Sequence, residues 1–547
     1  NTKEDIRQAL ISKGYDVPTS IPFKEYAKMI SDLPCRVDSF PDIEGIVARY
    51  SALGLTNEQM AANPVWVDKT GNGHDIQLKN FSWKGMSGVG GYGDENYQTF
   101  YKFTLDDYVF IATPPGVKHM NFTFRVTGLQ PGNKLTLAFF GTTNTVYGTW
   151  NKDGIYTVDA DIVEAGKPTY FYNGYGATRG EFTIEILPLY PGALVFDGVD
   201  DYGVCDNFPI LTKEKGYTVV ALRQWIEEKN DSTALVSNCK NWGQDGAFLF
   251  EYNNLRINFL NVAISFGHVS SVDRGKSPFS YQTSKLYNGK NIEPESFIGS
   301  NELVVGKGSK NFPTVSNFAI WELVFLDHDA TEEELTKIKD YFVKTYPWLF
   351  PDQAWTVVGK TNEDEDRATI ANITSNGNDL VLSNFGFIEG SGYNEEGEYA
   401  GYLVTDGVDD KVVSKQFKFG ENFTVILDFK FPVKKISYCG FDLSAKVRIQ
   451  NLQDSGVYVV LKGNKTLIPS NVVRAVTSEG KVYDENWNEY NIVPGNISSN
   501  YTMVNLGFDG SIQFAESATK LAGIYSSTLS KDECIKAYNY LQTLKSK

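Results

Sequence analysis

With 547 residues the chain exceeds one ordinary core and predicts about two to four domains. A hydrophobic share of 41% and a charged share of 22% exclude wholesale disorder. The formal net charge of -16 argues against nucleic acid or an anionic membrane as the main partner, and no run approaches the roughly 18 apolar residues of a membrane span.

Residues 1–34 read as a helical attachment or oligomerisation element. Thr2 can cap a helix bearing Ile6, Leu10 and Ile11, which Gly14 ends; Pro18 and Pro22 punctuate the connection. Phe23, Tyr26, Ile30 and Leu33 then share one side of a second short helix. So short a segment cannot form a core alone and is expected to dock on a partner or on other copies of the chain. The opening NTKEDIRQAL has neither the apolar core nor the small-residue cleavage site of a signal peptide. Five cysteines with no CxxC are expected to be free buried thiols of a chain made in a reducing cytosol.

From residue 43 onward the chain repeats itself. Thr56-Asn57-Glu58 recurs as Thr361-Asn362-Glu363, NGHD (72–75) as NGND (376–379), and QLKNF (77–81) as VLSNF (381–385). Gly91-Tyr92 recurs as Gly392-Tyr393, DGVDD (197–201) as DGVDD (406–410), and TEEEL (331–335) as SKDEC (530–534). The offset falls from 301 at Tyr92 and Tyr393 to 209 at Asp197 and Asp406, so the first repeat carries 92 extra residues between those points. The first repeat is placed at 43–350, interrupted by an insertion at 98–190, and the second at 352–547.

Both repeats read as antiparallel β. In the first, YTVVAL (217–222), AFLFEY (247–252), LRINFL (255–260) and FAIWELVFL (318–326) are β-branched or aromatic runs punctuated by Gly, Asn and Asp. FTVILDFKF (423–431), VYVVLKG (457–463) and YTMVNLGF (501–508) answer them in the second. The insertion has six evenly spaced runs, at 108–112, 121–126, 134–141, 154–160, 168–173 and 181–187, which predict a small sandwich of its own. A helix closes each repeat, opened by a capping box at Thr331/Glu334 and at Ser530/Glu533. Leu335, Ile338, Phe342 and Tyr346, and likewise Ile535, Tyr538, Leu541 and Leu544, fall at helical spacing. Packing of each stripe on its own sandwich is favoured over a partner-binding face. The fold class is all-β: two sandwiches, one interrupted by a third, plus the short helical element.

The acidic turns are the first candidate site. Asp197, Asp200 and Asp201, and again Asp406, Asp409 and Asp410, offer hard oxygen ligands for Ca²⁺. Asp-Gly is also tight-turn chemistry, and the turn is the favoured reading. EDED (363–366) reads as a solvated loop. Gly88, Gly90 and Gly93 spell G-x-G-x-x-G, but Asp94 and Glu95 follow at once and would repel a phosphate. No strand carries the alternating carboxylates of a glycanase, and His74, His119, His268 and His328 form no metal-spaced pair. No catalytic residue, no enzymatic activity and no organic cofactor are expected. Trp242 in KNWGQDG, with Trp487 and Tyr490 in DENWNEY, are the glycan-contact candidates. Local packing anchors are the competing reading.

FDGVDDYG (196–203) followed by ATEEEL (330–335), and TDGVDDKV (405–412) followed by LSKDEC (529–534), resemble the laminin-G-like branch of the concanavalin A-like lectin/glucanase superfamily. The Asn-Gly turns before them fit the same pattern. The resemblance implies two jelly rolls. Members bind sugars, bind proteins, pad large enzymes or build virions, and several bind Ca²⁺. IRQALISKGYDVPTSIPFKEYAKMISDLP (6–34) resembles a segment of tailed-bacteriophage fibre and appendage proteins, and crAss-like phages carry many such domains. Together the two resemblances imply a non-enzymatic virion component, either a head or tail fibre or a surface decoration. It would be made in the host cytoplasm, be oligomeric, and contact other virion proteins through residues 1–34. Adhesion to host or mucosal glycans would be its binding activity. A bacterial surface glycan-binding protein and a polysaccharide depolymerase are the alternative expectations.

Overall fold

The computed structural model describes residues 40–545 except 93–99, 104–107, 113–118, 130–131, 140–144, 162–167, 174–181, 213, 228–232, 240–247, 252–276, 292–299, 375–376, 432–438, 445, 452–456, 471, 498–500 and 508–513. The expected N-terminal helices, the run at 255–260, Cys35, Trp242 and His268 lie outside the described residues.

The fold is all-β, and every strand pairing is antiparallel among the described residues. The larger sheet of the first repeat runs Lys290–Asn291, Leu286–Tyr287, Phe279–Thr283, Thr218–Glu227, Asn317–Leu326, Leu194–Asp197, Gly88–Val89. Ile46–Ser51 pairs with Asn317–Leu326 beside Leu194–Asp197. The second repeat gives the same succession: Glu489–Asn491, Lys481–Asp484, Val472–Thr477, Thr424–Lys430, Glu516–Tyr525, Tyr402–Asp406, Gly392–Asn394. There Gln353–Thr356 takes the place of Ile46–Ser51. Among the described residues the opposing sheets agree over six strands, and the second repeat continues at one edge with Val457–Leu461 and Asn464–Ile468. Residues between Phe100 and Ile186 form two four-stranded sheets of their own around Phe124, Leu137, Phe171 and Ile184. Two strands there, Phe100–Phe103 and Thr145–Trp150, were not among the six runs read from the sequence.

Asn317–Leu326 shows why its sequence is apolar without alternation. Phe318, Ile320, Leu323 and Phe325 belong to the core inside the sandwich, while Ala319, Trp321, Val324 and Leu326 belong to the core outside it. A strand covered on both faces needs no polar side. The parity changes at Glu322, where the register against Thr218–Glu227 also shifts.

What covers the outer face is helical. Helix α1 (Asn57–Ala62) is a short cap on the first repeat, and α2 (Glu332–Thr345) and α3 (Lys531–Gln542) close the two repeats. Both long helices open with complete capping boxes, each contributing about 0.5–2 kcal/mol. Leu335, Ile338 and Phe342 of α2 are buried, as are Ile535, Tyr538 and Leu541 of α3. These stripes do more than cover their own sandwiches. They meet in one core with Trp348 and Leu349 of the connector, Trp321 of the first repeat and Tyr525 of the second. Tyr525 donates to the Trp348 carbonyl at 3.0 Å, and Gln224 Nε2 donates to Thr543 Oγ1 at 2.9 Å. Ile155 and Leu187 join that core from the insertion. Cys205, Cys239, Cys439 and Cys534 are free and buried.

Candidate functional site: the twin acidic turns

The two DGVDD turns sit where Leu194–Asp197 and Tyr402–Asp406 leave the larger sheets. In the first, Asp197 Oδ1 accepts from the Val199 amide at 2.7 Å and the Asp200 amide at 3.4 Å. Asp201 Oδ2 accepts from the Asp197 amide at 3.2 Å, and its Oδ1 accepts from Ser87 Oγ at 3.0 Å. In the second, Asp406 Oδ1 accepts from Val408 at 2.8 Å and Asp409 at 3.4 Å. Asp410 accepts from the Asp406 amide at 2.9 Å and from Ser391 Oγ at 3.1 Å. Asn80 and Asn384 finish the two turns, donating to the Asp200 and Asp409 carbonyls at 3.0 Å each.

Each turn therefore grades its carboxylates. Asp200 and Asp409 are exposed, Asp197 and Asp406 half-buried, Asp201 and Asp410 fully buried. Burial, reinforced by the neighbouring Asp197 carboxylate, pushes Asp201 up to about 7. Burial likewise raises Asp410 to about 6. The three carboxylates of each turn bring one oxygen apiece within 4.8 Å of one another. A Ca²⁺ ion asks for about six to eight oxygens. Here Asp197 Oδ1 and both Asp201 oxygens already accept protein hydrogen bonds, as do their counterparts in the second repeat. The bonding fits a turn lock better than an ion cage.

A second lock recurs beside each turn. Asn57 accepts from the Val89 amide at 2.7 Å and donates to the Val89 carbonyl at 3.2 Å. Asn362 does the same for Tyr393, at 2.8 Å in both directions. The strand residue beneath must be glycine: Gly88 has φ +136 and Gly392 +153, and a Cβ at either would lie 2.5 Å from the clamping Asn oxygen. Gly88, the first glycine of the G-x-G-x-x-G spelling, is thus part of this lock. Sequence reading found the Asn and Asp members through their recurrence but passed over Ser87 and Ser391, which stand 304 positions apart like their neighbours.

The glycan candidates fare differently. Trp487 is 2% exposed, with Tyr483 and Tyr538 rings at 6.0 and 5.9 Å from its own. That corrects the expectation, because a ring enclosed on the core side of α3 has no face to give a sugar. Asp484 organises its turn, accepting from the Asn486 and Asn488 amides at 2.9 Å and from the Tyr490 hydroxyl at 2.9 Å. Tyr490 is half-buried, and burial with Asp484 pushes its hydroxyl up to about 12. The Tyr490 hydroxyl is therefore committed within the fold.

Other charged groups are paired in the interior. Glu251, fully buried with φ +52, takes Arg223 Nε at 2.8 Å, Trp225 Nε1 at 2.6 Å, Ser280 Oγ at 2.6 Å and Tyr287 at 3.1 Å. Burial alone would raise its carboxyl, but Arg223 and these donors hold it below the usual range. Asp428 is bound by Arg474, by Tyr402 at 2.9 Å and by Tyr538 of α3 at 3.1 Å. These networks pair the buried charges with one another, and the second ties its strand to α3.

No protein-family model matches the chain, and no curated protein matches it. Among solved structures, Trypanosoma rangeli sialidase is similar at 9% identity and a TM-score of 0.26, over 42% of this chain and 41% of that one. The same sialidase in complex with sialic acid aligns over 71% and 67% at 8% identity, again with a TM-score of 0.26. The receptor-binding domain of botulinum neurotoxin mosaic serotype C/D is similar at 12% identity and a TM-score of 0.24, over 34% of this chain and 50% of that one. Likenesses this distant say nothing of this chain's activity.

Proposed function

We propose that the chain is a non-enzymatic structural component of a tailed-phage virion, a fibre or surface decoration that displays its sandwiches and adheres weakly to glycans. One observation carries the display role: α2, α3 and the connector fuse the two repeats through a single apolar core. Such a body holds its outer surfaces at fixed positions, which suits display. The duplicated polar hardware, with Asn57, Ser87 and Asp201 matched by Asn362, Ser391 and Asp410, is spent on locking turns. The resemblance of residues 6–34 to phage appendage segments supplies the virion setting. Weak individual sugar contacts would gain strength through many copies on one particle. A glycan array with oligomerised protein, run beside a reducing-sugar assay on host capsule, tests the reading. Retention on some glycans with no release of reducing ends is expected. Release that disappears on changing one carboxylate would replace it with a depolymerase.

A further inference from the structure

We propose that Asn72 is a self-modification site: the Asn72-Gly73 step deamidates in the folded chain and replaces a neutral amide by a carboxylate. Two Asn-Gly steps are complete among the described residues, Asn72-Gly73 and Asn288-Gly289, and the fold treats them in opposite ways. Asn72 and Gly73 are exposed in an irregular loop. Gly73 has φ +79, and a Cβ there would meet nothing within 4 Å, so no side chain screens its nitrogen. Neither the Gly73 N–H nor Asn72 Oδ1 makes a hydrogen bond among the described residues. The Asn72 carboxamide has one tether, from Nδ2 to the Val47 carbonyl at 2.9 Å. Asn288 instead fills a two-residue hairpin with Gly289, both at positive φ. Its Oδ1 accepts from the Tyr281 amide at 2.8 Å and its Nδ2 donates to Ser280 Oγ at 3.2 Å. The Gly289 backbone hydrogen-bonds the Tyr281 hydroxyl, so both reacting groups are held.

The step needs water alone as co-reactant. The Gly73 nitrogen gives up its proton and bonds to Asn72 Cγ, the Cγ–Nδ2 bond breaks, and Nδ2 takes up a proton and leaves as ammonia. Water then opens the cyclic imide at either carbonyl, leaving aspartate or isoaspartate. The Val47 carbonyl loses its donor, at the bulge that the ladder to Asn317–Leu326 skips. The new charge joins a loop that already holds Asp68 and Asp75. Modification therefore loosens the tie between the NGHD turn and Ile46–Ser51.

Peptide mass spectrometry that resolves isoaspartate, on the full chain aged in mildly alkaline buffer and in parallel in concentrated urea, tests this. In buffer the Asn72 peptide should gain aspartate and isoaspartate. Asn288 should convert at least about tenfold more slowly, because reaction there waits for the hairpin to open. In urea, where the hairpin is gone, the two steps should convert at similar rates. Asn72→Gln should leave its peptide unmodified in buffer. An Asn72 peptide that stays amidated in the folded chain, or an Asn288 peptide that converts as fast as Asn72 there, would overturn the proposal.

Discussion

Asp201 and Asp410 are the side chains whose protonation most affects the turns. Their folded pKa values, about 7 and about 6, lie above the ordinary 3.8, so the folded state favours the protonated acid. The stabilisation is complete below about pH 4 and is lost as pH rises, through about 7 at Asp201 and about 6 at Asp410. At about 1.4 kcal/mol per pKa unit this amounts to roughly 4–5 kcal/mol at Asp201. Asp201→Asn mimics the protonated acid, since its amide can donate to Ser87 Oγ while its oxygen accepts from Asp197. Melting curves should show Asp201→Asn gaining on the parent between pH 4 and 7 and staying ahead at pH 8. A gap that does not change with pH would refute the assignment. Asn57→Ala and Asn362→Ala each strand a backbone N–H and C=O and should cost about 1–3 kcal/mol in denaturant melts. Because the turn bonding leaves few free oxygens, millimolar Ca²⁺ should not move the melting temperature, and a Ca²⁺-dependent rise would restore the ion site. At this scale the repeated Asn and Asp residues were legible because they recur, but the glycine was misaligned: Gly91-Tyr92 was paired with Gly392-Tyr393, whose counterpart in the Asn clamp is Gly88-Val89. Ser87 was not legible, since its partner Asp201 lies 114 positions away across the insertion.

Among the elements, the central strands and closing helices could be read directly from the residues. FAIWELVFL stands out as a run, and a capping box is local chemistry, complete within four residues. Short edge strands such as Leu286–Tyr287 and Lys290–Asn291 carry too little pattern to be seen. Trp487 was misread for a physical reason. Its polar neighbours suggested an exposed loop, but they bond around Asp484, and φ +59 accompanies a ring seated in the core against Tyr538. Trp487→Ala should cost about 3–5 kcal/mol and leave the retention of any bound glycan on an array unchanged at a temperature where the variant is folded. Selective loss of glycan retention with full stability would reinstate it as a contact residue. Thr331→Ala should cost about 1 kcal/mol and raise amide exchange in the first turn of α2.

Across the whole molecule, the duplicated fold was visible in the repeat offsets, but the joining of the repeats was not. Each helical stripe looks the same whether it packs on one sandwich or two, so the common core around Trp348 and Tyr525 emerges only in three dimensions. That core predicts coupled unfolding: the parent should melt both repeats in one calorimetric transition, and Trp348→Ala should split it. Two transitions already present in the parent would mean the repeats are independent beads. A display role asks for the fused form, held on a particle. Quantitative mass spectrometry of gradient-purified phage particles tests that role most directly. Peptides from both repeats are expected in the particle fraction in amounts comparable to those of known appendage proteins. Their absence from particles, with recovery in the envelope fraction of the bacterium, would contradict the virion assignment.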